Sequence, residues 1–583
     1  MIASTAFLAA QTPPPTQINI SEDLTALGIA SQNAIPDTPG LDTRPLLTAA
    51  IQYASANGVG TIIADPGAYW FLTPQLSDRY LVLNQVSNLT IDFHGSDLYL
   101  QQGFLIGFDL ENCQNVTLEH FTIDYVQLPF TQVKLSNVSG RTLTYSVMPG
   151  WPSPTTLVSP TGSTNYWGLV LRGGMELPNT NRLPLAPPAN PGTLQVLTED
   201  SPWTQPSVLS TYQAGDIAVV TLRDGDAPIF VEGGDAVTLE GIDVYASGTL
   251  GVHMDGAKDS IVSRVRVMPR PGTDRLISTN ADGIHMSYIQ SNNRVRSCYI
   301  NRTMDDGIAL NSMFLAVINK VTGSRTITAT RYDQTTVPNG TLVAFLNPAT
   351  GQTYGSGLHI ASQNPPYGSA RDYNPQVTYT FDGDLPALQN GFGLIYGDPA
   401  NRGRSTIVEK NIVEDVLFAR GIFLGGVSGI TVQNNVIRRT NCAGIAVHQD
   451  LAAYPSAPNQ NIQIVRNTVD SAIGPAAVGT GAIAALGSIF VLATDSSFIP
   501  LTLPTALNIT ISNNYISNAG RTGIWAGNMS GGAIQGNTVA SFALYPQLAV
   551  WGVTQTLANQ LAQDFTQSLV LRASTNVNVG QNQ

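Results

Sequence analysis

The chain has 583 residues, with 28 Lys+Arg against 40 Asp+Glu, a net charge of −12, 12% charged residues, 54 glycines and 36 prolines. That length exceeds what one compact core holds, so it is either several domains or a solenoid that lengthens without thickening its core. Many turn residues and few charges favour the solenoid. The acidic balance excludes a nucleic-acid partner, which needs a basic stripe, and no run approaches the ~20 apolar residues of a membrane span.

Residues 1–15 begin with a short apolar run, Met1 to Ala10, followed by Gln11-Thr12-Pro13-Pro14-Pro15. This reads as a signal remnant or a disordered tail, and the expected location is secreted or periplasmic. Asp42 to Asn57 has Leu46, Leu47, Ala50, Ile51 and Ala54 at a 3.6-residue period, which predicts a helix stopped by Gly58. A strand from Thr61 to Ala64, then Pro66-Gly67 and the aromatic Tyr69-Trp70-Phe71, follow directly. A helix in this place covers the open end of a stack of apolar side chains.

One phrase then recurs: an alternating apolar strand, an Asn-rich turn, another strand. Examples are Leu89-Thr90-Ile91-Asp92-Phe93, Val116-Thr117-Leu118, Val237-Thr238-Leu239, Ile430-Thr431-Val432-Gln433-Asn434-Asn435, Ile462-Gln463-Ile464 and Ile509-Thr510-Ile511-Ser512-Asn513-Asn514. The spacing is about 24 residues or irregular multiples of it, the signature of stacked coils. Asn tolerates left-handed turn angles and can stack into ladders. The predicted fold is all-β: a right-handed parallel β-helix with an N-terminal capping helix and two inserted antiparallel β modules. The cap and first coils occupy 40–130 and the first module 131–228. Further coils take 229–313, the second module 314–404 and the last coils 405–583. Each module is too long for a solenoid turn, and both either wall the functional face or decorate it. Cys113, Cys298 and Cys442 have no metal-ligand spacing; they read as buried thiols, with one long-range disulfide as the alternative.

The chemistry concentrates in Asn280-Ala281-Asp282-Gly283-Ile284-His285 and Met304-Asp305-Asp306-Gly307-Ile308. Asp282 and Asp305 lie about one coil apart, so stacking brings the carboxylates together at the ~4.8 Å strand spacing. Asp305 and Asp306 can share a face only near a strand end or bulge, which Gly307 permits. Such a stack is costly unless protons are shared, and sharing divides acid from base. Asp255 is expected one coil further back in the same row. His285, Asn280, Arg270 and His448 are candidate substrate contacts. The alternatives are a turn role for His285 and His448, and neutralisation of the aspartates by Arg270. An aspartate ladder could also bind calcium, but no metal or other cofactor is expected.

Asn-Ala-Asp-Gly followed by Asp-Asp-Gly resembles the Asn-Thr-Asp and Asp-Asp signatures of the polygalacturonase clan, which are inverting hydrolases on β-helices. That clan's Gly-His-Gly and Arg-Ile-Lys motifs are not found. A closer resemblance is to the bacterial α-1,3-galactosidase family. It is carried by Phe108-Asp109-Leu110-Glu111-Asn112-Cys113, Ile123-Asp124-Tyr125, Val267-Met268-Pro269-Arg270-Pro271-Gly272 and the two aspartate phrases. The resemblance implies an inverting β-helix glycoside hydrolase with Asp282, Asp305 and Asp306 as catalytic carboxylates. By analogy with the polygalacturonase clan it makes Asp305 the acid and Asp282 with Asp306 the base pair. The implied partner is a carbohydrate substrate, in a monomer or homodimer. A polysaccharide lyase or uronate epimerase, and a non-catalytic carbohydrate-binding β-helix, remain alternative readings.

Overall fold

Alternation in the strand phrases sends every second side chain inward, and stacking identical phrases turns those side chains into continuous apolar columns. Such coils are what the computed structural model contains. It describes residues 15–160, 162–173, 175–176, 183–197, 209–312, 314–331, 339–366, 376–396, 402–451, 456–474, 485–495, 499–545 and 555–583. The leader reading of 1–15 falls almost wholly outside these residues.

Parallel strands stack in three columns. Two columns merge into one 21-stranded sheet through long strands such as Ser87–Leu100 and Gln114–Tyr125, which bend through a corner. The third column is an 11-stranded sheet. Its middle strands are Ile229–Glu232, Val252–Asp255, Ile284–Ser287, Ile308–Asn311, Ile422–Gly425 and Ile445–Asp450. One interior column reads Ile91, Leu118, Leu239, Val262, Val295, Val408, Val432, Ile464, Ile511 and Ile534 in unbroken register. All are sealed from solvent, and each such burial stabilises by about 1.5–3 kcal/mol.

The asparagines do form a ladder. Asn411, Asn435, Asn467, Asn514 and Asn537 each pass a side-chain amide to the next rung's carbonyl oxygen at 2.9–3.0 Å. Each rung's carbonyl oxygen also accepts a backbone N–H from the coil before it at 2.9–3.1 Å. The residue before each rung takes the left-handed turn: Lys410, Asn434, Arg466, Asn513 and Gly536.

The helix Thr43–Asn57 buries Leu46, Leu47, Ala50, Ile51 and Ala54 against the first coil. Asp42 caps its start and Gly58, at φ 70°, ends it. Both insertions interrupt this regular winding. The first is a seven-stranded sheet, antiparallel throughout, that includes Phe130–Ser139 and Ile217–Leu222. The second, from Phe314–Val321 to Gly393–Tyr396, closes into a six-stranded barrel. The barrel core packs around Tyr288, just past the strand Ile284–Ser287. Cys113, Cys298 and Cys442 are free and buried.

Candidate active site

Five consecutive strands of the 11-stranded sheet, from Val252–Asp255 to Ile445–Asp450, are each entered through a short turn ending in glycine: Gly251, Gly283, Gly307, Gly421 and Gly444. The glycine N–H of each coil donates to the residue before the next coil's glycine, for example Gly283 N to Asp306 O at 3.0 Å and Gly307 N to Arg420 O at 2.8 Å. A Cβ on Gly283 would meet the Gly307 carbonyl at 2.6 Å, so only glycine allows coils to approach this closely. The residues before these glycines therefore stack as Leu250, Asp282, Asp306, Arg420 and Ala443. Asp305 sits one place earlier, beside its neighbour at the mouth of the same turn.

This turn gathers the three aspartates. One carboxylate oxygen from each of Asp282, Asp305 and Asp306 lies within 4.8 Å of the others. All three are buried, and Asp305 is the most exposed at 7% against 3% and 2%. Three partly desolvated carboxylates need counter-charge, and two arginines supply it. Arg420 donates Nε and Nη2 to the two oxygens of Asp306 at 2.8 Å each, and its backbone N–H to Oδ1 at 2.8 Å. Its guanidinium lies over the Phe423 ring, 3.9 Å from the centroid. Arg223 reaches Asp305 Oδ2 at 3.3 Å and the Asn280 carbonyl at 3.0 Å. It follows directly on the last strand of the first insertion, so that module contributes to the site.

Asp282 accepts the backbone N–H of Asp306 at 3.0 Å and pairs with His285 Nδ1 at 2.5 Å. The Asn311 amide donates to His285 Nε2 at 2.8 Å. Donation from Asn311 makes Nε2 the acceptor, which leaves Nδ1 carrying the proton toward Asp282. The preceding coil repeats the device. His253 Nδ1 meets Asp226 at 2.9 Å and His253 Nε2 meets Ser287 Oγ at 2.8 Å. The two imidazoles stand edge to face, 5.5 Å between centroids.

Burial raises the Asp306 carboxyl to about 7; Arg420 opposes this and Asp282 and Asp305 add to it. A carboxyl raised that far can take up a proton near neutrality, and because the three carboxylates interact that uptake is a property of the cluster.

The remaining expected contacts are placed otherwise. Asp255 is in register with Ser287 and not with Asp282, because the coil between Val252 and Ile284 carries a long turn. It closes the acidic row Glu111, Glu232, Asp255 along the same face. Asn280 is fully buried, with its amide on the Gly248 carbonyl at 3.1 Å, so it shapes the turn instead of facing a substrate. Arg270 pairs with Asp124 at 3.1 Å and donates to Tyr99 Oη at 2.7 Å; it does not neutralise the trio. His448 is neither in a turn nor at the surface. It lies within the strand Ile445–Asp450, 2% exposed, with Nε2 at 3.1 Å from Thr494 Oγ1. Burial pushes it down to about 4, as does Arg420, with Asp450 opposing.

Arg420, Arg223, His253, Asp226, Ser287 and Asn311 escaped the sequence reading. Arg420 had a legible signal: Asp282-Gly283-Ile284, Asp306-Gly307-Ile308, Arg420-Gly421-Ile422 and Ala443-Gly444-Ile445 are one repeated phrase. The barrel insertion hides its period.

The fold and site define the class as a parallel β-helix with carboxylates gathered at one coil turn. No family model matches the chain. It is similar to α-1,3-galactosidase A of Bacteroides fragilis, 21% identical over 496 residues that cover 80% of this chain and 76% of the relative. It is also similar to α-1,3-galactosidase B of Bacteroides thetaiotaomicron, 22% identical over 42% of each chain. The resemblance read from the aspartate phrases is therefore present across most of the chain. Among solved structures, a glycoside hydrolase aligns over 97% of this chain and 96% of its own at 10% identity and TM-score 0.44. A mannuronan C-5 epimerase A-module from Azotobacter vinelandii aligns over 93% and 96% at 12% identity and TM-score 0.40.

Proposed function

We propose that this protein is a glycoside hydrolase that releases α-linked galactose, or a closely related sugar, from non-reducing ends with inversion. The observation that carries the reading is the three-aspartate cluster, charge-balanced on one side by Arg420 and on the other by Arg223, in a chain similar along most of its length to α-1,3-galactosidases.

Asp305 is the general acid. It is the most exposed of the trio and has one oxygen against Arg223. The proton that the cluster holds near neutrality passes through it to the leaving oxygen. Asp282 and Asp306 form the base pair that orients and deprotonates water. Arg420 keeps Asp306 an acceptor and His285 does the same for Asp282. After transfer, the sugar hydroxyl from water carries the new anomeric bond, and the water's second proton remains on the base pair.

A specific observation favours a second reading. Nearest oxygens within 4.8 Å are tighter than the ~6.5–9.5 Å of a typical inverting pair and closer to the ~5–5.5 Å of a retaining one. A retaining enzyme needs a carboxylate free to attack carbon. Asp306 is chelated by Arg420, and Asp282 is engaged by His285 and the Asp306 N–H. Those engagements weigh for inversion. Proton NMR of the first product decides: an α-galactoside giving β-galactose first supports inversion, and α-galactose first supports the retaining route.

A further inference from the structure

On the 21-stranded sheet, not the 11-stranded one whose strands follow the aspartate turn, a second group of ligand-type side chains meets at a corner. We propose that Asp92, Glu119 and His120 form a binding site for a divalent transition cation of the zinc class, with His94 as a further donor.

Asp92 and Glu119 are register partners on adjacent strands, and His120 follows in the left-handed corner at φ 57°. One ligand atom from each of the three lies within 4.8 Å of the others. His120 Nδ1 is 3.2 Å from Asp92 Oδ1, and His94 Nε2 is 3.4 Å from Asp92 Oδ2. Four donors about 2.0–2.2 Å from a tetrahedral zinc stand roughly 3.3–3.6 Å apart, and the two histidine–Asp92 distances are close to that. Two imidazoles with two carboxylates suit zinc better than magnesium or calcium.

His94 supplies the independent indication. Its Nδ1 is 3.0 Å from the Ala64 carbonyl, which can only accept, so Nδ1 carries the proton. That bond fixes the ring with Nε2 facing Asp92 Oδ2 at 3.4 Å. A carbonyl–imidazole pair that aims the other ring nitrogen is the usual outer support of a metal-bound histidine. The corner also makes room: the next coil has Gly241 there, where a Cβ would meet His120 Cδ2 at 3.0 Å.

Electrostatics points the same way. Asp92, Glu119 and Glu240 stack in register. Arg264 pairs with Glu240 at 2.5 Å. Like charges stacked at strand spacing repel one another. A cation between Asp92 and Glu119 relieves that repulsion.

The test is calorimetric titration of Zn²⁺ into the full chain after chelator treatment and dialysis, with thermal unfolding in parallel. Wild type and Asp306→Asn should each show one saturable site and a raised unfolding midpoint. His120→Ala and Asp92→Asn should weaken binding about tenfold or more, with circular dichroism and galactoside turnover unchanged. Absence of saturable binding, binding that survives His120→Ala, or binding lost in Asp306→Asn would overturn the proposal. The last result would put the ion in the aspartate trio.

Discussion

At the scale of single residues, the proposed mechanism turns on Arg420. A planar fork holding both oxygens of Asp306 is not replaceable by a lysine point charge. Arg420→Lys should lower kcat by about 10²-fold through misplacement of the base pair. It should also shift the pH profile. In the proposed mechanism, loss of the cluster's proton above about pH 7 removes the general acid, so activity should fall on the alkaline side. Arg420 lowers Asp306, so weakening it raises the cluster's proton affinity and should move the alkaline limb to higher pH. A limb that stays in place would separate Arg420 from the proton. His448 gives a stability prediction of opposite sense. Its folded value, about 4, lies below the ordinary 6.5. The unfolded chain therefore binds more protons between pH 6.5 and 4, and stability contributed above 6.5 is lost as pH falls through that window. The effect is on the order of 3 kcal/mol at most. His448→Gln should flatten the acid side of a plot of unfolding midpoint against pH, and an unchanged slope would show that His448 does not control it.

At the scale of elements, the asparagine ladder holds neighbouring coils in register. Asn467 Oδ1 accepts the Asn435 backbone N–H at 3.0 Å and its amide at 2.9 Å; its own amide donates to Val432 O and to Asn514, each at 3.0 Å. Asn467→Ala leaves buried partners unmatched on both sides and should destabilise by roughly 3 kcal/mol in urea unfolding. A cost under about 1 kcal/mol would mean that the rungs are replaceable by water. This element was legible in the sequence because an Asn-Asn or Arg-Asn pair recurs at three of its rungs, Asn434-Asn435, Arg466-Asn467 and Asn513-Asn514. The capping helix was legible for a similar reason: its apolar period and Gly58 stop are local features. Asp255 was misplaced because register depends on turn length, and the long turn after Val267 shifts the coil by residues that no strand pattern records. Adjacency of Asp282 with Asp306 could be read because the shared Gly-Ile phrase fixes that register directly.

At the scale of the whole molecule, the insertions separate parts of the site that the solenoid reunites. Asp306 and Arg420 lie 114 residues apart and touch because the barrel leaves and re-enters between consecutive coils. Arg223 arrives on the return limb of the first module, and no periodic signal marks it. Arg223→Gln should leave the fold intact and reduce kcat/KM by about tenfold or more, since a charge aimed at Asp305 is lost. Normal turnover in that variant would confine the first module to a structural role. The coil architecture and the aspartate phrases were visible in the sequence; coil residues whose register depends on turn length or on an insertion, such as Asp255 and Arg420, were not, and neither was Arg223, which the first module delivers.

The central claim is that the Asp282–Asp305–Asp306 cluster hydrolyses an α-galactosidic bond. Time-resolved proton NMR of α-1,3-linked galactobiose with wild type and with Asp305→Asn tests it most directly. Wild type should release galactose that appears first as the β-anomer, and Asp305→Asn should be about 10²–10⁴-fold slower while keeping the wild-type unfolding midpoint within a few degrees. Galactose release unaffected by Asp305→Asn, or no release from any α-linked galactoside by the wild-type protein, would contradict the account.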